Sequence, residues 1–102
     1  MNNDQRLEIL ENMRFAFQRF RSNVRETREK TNLTDGMLED MFPWVFSSKC
    51  PLPAIQRCLD RGEVTGMELY NFMTILHRFA PEVMVAHAEF DFPKPDMRWC
   101  IE

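Results

Sequence analysis

The chain has 102 residues, of which 44% are hydrophobic and 28% charged, with three glycines and a formal net charge of −3. That length fills one modest core, so 1–102 is read as a single domain, and the composition excludes a disordered or fibrous chain. The acidic balance argues against coating nucleic acid by bulk charge, but seven of the thirteen basic residues precede position 31, a segregation the net value hides.

From about residue 4 to 30 the chain lacks glycine and proline, and Leu10, Met13, Phe17, Phe20 and Val24 recur at steps of three and four. This is the spacing of a helical seam. Arg14, Arg21, Arg25 and Arg28 fall largely off the seam, so the helix has one apolar and one basic face. A helix of about 27 residues is about 40 Å long, more than a small domain easily covers. The five seam residues are therefore expected to form an oligomer interface, and a homodimer is expected.

Thr31 to Asp35 supply capping residues for a second helix at about 34–42, which Pro43 ends. The stretch 44–50 lacks periodicity and reads as a loop, with Trp44 and Phe46 packed beneath it. Pro51 stands at a helix start, Leu52, Ile55 and Leu59 form one face through Arg61, and Gly62 suits the left-handed position that closes a helix. Thr65-Gly66-Met67-Glu68 is a capping box opening a helix at about 66–79. Pro81 opens a segment at about 82–88 whose Val83-Met84-Val85 fits a short helix or an extended piece equally well and is read as a short fifth helix, and Phe92-Pro93-Lys94-Pro95 is extended. The tail 89–102 carries Phe90, Phe92, Trp99 and Ile101 among acidic residues, so it is expected to dock on protein, with the basic face of the first helix as one complement.

The fold expected is all-α, with four main helices, a fifth short one, and a helix-turn-helix-like centre. Its core is expected from Leu10, Met13, Phe17, Phe20, Leu38, Met41, Leu52, Ile55, Leu59, Leu69, Phe72, Met73 and Leu76. No uncharged run approaches the roughly 20 residues of a membrane span, and the first residues show no basic or apolar leader. Cys50, Cys58 and Cys100 match no zinc spacing and no disulfide framework, so no metal is expected and a reducing cytoplasm is the expected location. His77 and His87 stand in no catalytic motif, and the glycines form no phosphate loop, so no enzyme and no cofactor are expected.

The remaining pattern is helix, connection, helix. The second of these helices bears Gln56, Arg57 and Arg61, and the connection holds Ser47, Ser48 and Lys49. In a DNA-binding helix-turn-helix the second helix meets base edges, while hydroxyls and cations hold phosphates. Lys49, Gln56, Arg57 and Arg61 are accordingly the candidate DNA-binding residues, with the arginines of the first helix in reserve.

Two resemblances bear on this pattern. The string from Asn23 to Thr34, continued at Leu59-Asp60-Arg61-Gly62-Glu63-Val64, resembles Cro/repressor-type helix-turn-helix regulators. The layout of residues 5–80, with a long amphipathic helix, a short helix and a Leu52-Pro53 helix start, resembles FlhD-like subunits of flagellar-master-type transcriptional activators. That resemblance implies a promoter-DNA-binding regulator: a cytoplasmic dimer assembled with a larger FlhC-like partner into a hetero-oligomer. The competing expectation is a small protein-interaction module that inhibits or adapts a host protein.

Overall fold

A capping box starts the first helix. The Asn2 side chain accepts from the Gln5 amide at 2.8 Å while the Gln5 side chain accepts from the Asn2 amide at 3.0 Å. The computed structural model describes residues 1–101, and in it this helix, α1 (Asn3–Thr31), ends at Asn32 in the left-handed conformation, φ 58°. Next come α2 (Asp35–Met41), α3 (Pro43–Phe46), α4 (Leu52–Arg61), α5 (Gly66–Thr74) and α6 (Pro81–Ala86). A π-helical turn, Ile75–Phe79, extends α5, and a 3-10 turn, Met97–Ile101, closes the described chain. Among the described residues there is no strand, and the domain is all-α as expected.

The molecule measures 47 × 25 × 24 Å, so α1, about 43 Å long, runs along its long axis. Its first turn is clamped to the α4–α5 connection. Asn3 donates to the Gly62 carbonyl at 3.0 Å and accepts from the Val64 amide at 3.1 Å, while Arg6 Nε donates to the Val64 carbonyl at 2.6 Å. Beyond that clamp α1 packs on α4 and α6, with smaller contacts to α3 and α5.

Leu10, Met13, Ala16 and Phe17 are thereby fully buried within the chain, beside Ile55, Leu69, Met73 and Leu76. This corrects the expectation that Leu10, Met13 and Phe17 face another chain: α4, α5 and α6 fold back over the first half of the helix and take up its seam. Phe20 and Val24, one and two turns further on, stay half-buried. Of the expected core, Phe20, Leu52 and Leu59 are only partly buried, and Met41, the last residue of α2, is exposed although Leu38 one turn earlier on the same face is buried. Val45, Val64, Val83, Phe92 and Trp99 join the core.

The centre departs from the sequence reading in one element. Pro43, read as a helix stop, and residues 44–46, read as the start of a loop, form the single turn α3, with Pro43 at its first position and Val45 turned into the core. α2 packs on α3, whereas α4 packs on α1, so the two helices of the central pattern rest on different partners. The tail docks on its own domain: the 3-10 turn lies against α5 and buries Trp99, and Phe92 is buried beside Phe90.

Candidate functional site

Sequence reasoning named Lys49, Gln56, Arg57 and Arg61, and the structure puts them to different uses. Gln56 is half-buried and engaged on both sides, accepting from Arg14 at 3.1 Å and donating to Asp60 at 2.8 Å. Arg61 is paired with Glu68 at 2.7 Å and also donates to the Glu63 carbonyl at 2.9 Å. Arg57 is exposed on α4 and points to no partner among the described residues. Lys49 is exposed as well, and its ammonium lies 5.7 Å from the centre of the Trp44 ring. At the start of α4, Pro51 is buried and Leu52 half-buried, which leaves little of the first turn for a DNA groove.

Lys49 belongs to a different grouping, built around α3. Because Val45 points inward, its neighbours Trp44 and Phe46, about 200° apart around the helix, leave on opposite flanks. Trp44 stacks on Phe79 from the π-helical turn, with ring centres 4.7 Å apart and planes 20° from parallel. Arg78 lies 5.9 Å from the Phe79 ring centre. On the other flank the guanidinium groups of Arg21 and Arg25 lie 5.9 and 5.7 Å from the centre of Phe46. Such contacts hold each cation near an aromatic face while leaving its charge uncompensated. None of Arg21, Arg25, Lys49 and Arg78 has a carboxylate partner among the described residues, and Arg21 Nε is buried without a hydrogen-bond acceptor. Asp35 and Glu39 border the Arg25–Phe46 flank, where Asp35 is engaged by Arg28.

Sequence reasoning missed Arg78 and Phe79 because they stand some thirty residues from Lys49, and neither belongs to a motif. The π-helical turn that aims Phe79 at Trp44 leaves no mark on hydrophobic spacing over five residues.

A second surface is apolar. Phe20, Val24, Leu33, Met41, Phe42 and Ala86 line a groove of about 310 Å³ beside the distal half of α1. It contains the two seam residues left uncovered, and exposed Met41 stands on its rim.

The Cys58, Arg61 and Glu68 cluster ties α4 to α5. The Cys58 thiol donates to Glu68 at 3.4 Å, and burial followed by the Glu68 carboxylate pushes that thiol above its ordinary range. Burial alone would raise Glu68, but hydrogen bonds from the Thr65 amide, the Cys58 thiol, the Thr65 side chain and Arg61 outweigh it and hold the carboxyl below its usual value. This geometry suits a structural link, since Cys58 is buried and its thiol protonated. Among the described residues no three His, Cys, Asp or Glu side chains converge to hold a metal, and no helix is long and apolar enough to cross a membrane. Comparison with protein-family models, with curated proteins and with solved structures finds no match for this chain.

Proposed function

We propose that this chain is a DNA-binding transcriptional regulator whose nucleic-acid contact is made by the cations around α3. The observation that carries this reading is that Arg21, Arg25, Lys49 and Arg78 each lie over an aromatic ring without a carboxylate partner among the described residues. Cations held in this way are presented to phosphate at little cost in side-chain ordering. The FlhD-like layout adds a cytoplasmic homodimer working with a larger FlhC-like subunit. Phe20 and Val24, in the apolar groove, are the seam residues left for either contact.

Fluorescence anisotropy with a labelled mixed-sequence DNA, repeated across salt concentrations, tests this reading. Four phosphate contacts give a log–log salt slope of about −3 to −4, and replacing Lys49 and Arg78 together by Gln reduces that slope by about two. Binding that ignores salt, or no binding with or without a co-expressed partner, refutes it.

The groove supports a second reading, a protein-interaction module. Its apolar lining suits a partner helix, and such a contact responds little to salt. Met41→Glu, on the exposed rim, then abolishes partner capture while leaving anisotropy with DNA intact.

A further inference from the structure

We propose that the Trp44–Phe79 stack is a binding site for an unpaired nucleobase, with Lys49 and Arg78 holding the flanking phosphates. The inference rests on the nucleic-acid reading above and names the form of nucleic acid that the site takes.

The argument begins with ring geometry. The pairs Phe20–Phe42 and Phe15–Phe90 meet edge to face, at 83° and 84°, as rings in a packed interior commonly do. His87 and Phe90 are near parallel, but their centres are 6.4 Å apart and His87 is buried. Trp44 and Phe79 combine a 20° interplanar angle with a 4.7 Å separation, and Phe79 is 46% exposed. They form a ready-made stack that reaches the surface. A third flat ring extends it without reorganising either residue, which is how proteins that hold single strands engage bases.

Charge placement specifies the rest of the ligand. Lys49 and Arg78 approach this stack from the 41–50 segment and from the π-helical turn, at 5.7 and 5.9 Å from the ring centres. Both side chains are exposed, so either swings from ring to phosphate at small cost. A neutral aromatic ligand leaves both charges unused, whereas a nucleotide strand satisfies ring and cations together. The Phe46 flank lacks this combination because its ring has no parallel neighbour, Phe42 lying 6.3 Å away and tilted by 51°.

The same geometry selects unpaired over paired bases. In a duplex the base faces are covered by their neighbours, and only edges and phosphates meet a protein. A stack offered by two rings at the protein surface has nothing to contact there except at an open end. The half-buried, proline-led start of α4 provides no alternative element for reading base edges.

The test uses the full chain and three labelled probes: a twelve-nucleotide oligo-dT, an oligo-rU of the same length, and a duplex closed by hairpins at both ends. Oligo-dT is expected to bind about tenfold more tightly than the closed duplex. Phe79→Ala lowers the single-strand affinity by about 5- to 10-fold, bringing it toward the duplex value, and Phe79→Tyr restores it. Circular dichroism establishes that each variant is folded. The oligo-rU arm tells whether the strand is DNA or RNA. Equal affinity for oligo-dT and closed duplex, or wild-type affinity in folded Phe79→Ala, overturns the base site while leaving the DNA reading standing. Failure to bind all three probes overturns both.

Discussion

The carbonyl oxygen of Trp99 occupies the space that a side chain at Gly66 would need. The tail therefore closes on α5 by backbone contact, at the position after the N-cap Thr65. Gly66→Ala forces either the 3-10 turn or the start of α5 to move. We expect a loss of about 1–3 kcal/mol in urea denaturation. A variant as stable as the parent would show that the tail does not dock there.

Trp99 supplies the apolar part of the same closure. Trp99→Ala is expected to cost about 3–5 kcal/mol, since it removes a large buried ring. Its thermal midpoint should fall well below that of Ile101→Ala, because Ile101 is exposed.

Phe17 separates a self-contained seam from an intermolecular one. Buried with Leu10 and Met13, it is expected to give an unfolded chain when replaced by Asp, with loss of the cooperative thermal transition. A folded monomer from Phe17→Asp would contradict the packing described.

Gln56 and Arg57 are neighbours on α4 with opposite expectations. Gln56→Ala breaks the links to Arg14 and Asp60 and should lower stability by about 1 kcal/mol. Arg57→Ala should leave stability within about 0.5 kcal/mol, since its side chain is exposed and unpartnered among the described residues. Denaturation midpoints of the two variants check the contrast.

Glu68 links stability to pH. Its carboxyl is held below the ordinary range in the folded chain, so the unfolded chain takes up that proton at the higher pH. The stabilisation is complete above about pH 5 and declines as the pH falls through the depressed folded value. Glu68→Gln removes this part of the acid-side loss and costs roughly 1 kcal/mol at neutral pH, a modest figure because the group is partly exposed. Urea midpoints at pH 7 and pH 3 measure both effects.

Where local chemistry decides structure, it was legible in the residues. The Thr65–Glu68 capping box and the left-handed Gly62 stand where their types require them, φ at Gly62 being 74°. The long first helix follows directly from its spacing. Burial along that helix was not legible, because periodicity identifies an apolar face without saying what covers it. Leu10 and Phe20 read alike in the seam, yet only Leu10 lies beneath the returning helices. The α3 turn is too short to show a period, which hid the placement of Trp44. At the candidate site Lys49 was named from its type alone. Gln56 and Arg61 had the right chemistry but were engaged by Arg14 and Glu68, pairings that only the folded chain brings together.

The Ile75–Phe79 turn is wound one residue wider than the helix it continues, closed by the Ala80 amide on the Ile75 carbonyl at 2.9 Å. Compared with a plain α-helical continuation of α5, the wider winding sets Phe79 back by roughly 70° about the axis relative to Ile75, and in that direction its ring meets Trp44. The aromatic pair therefore depends on how the backbone is wound as well as on the two side chains, and a change that tightened the turn without shortening the chain would part the rings.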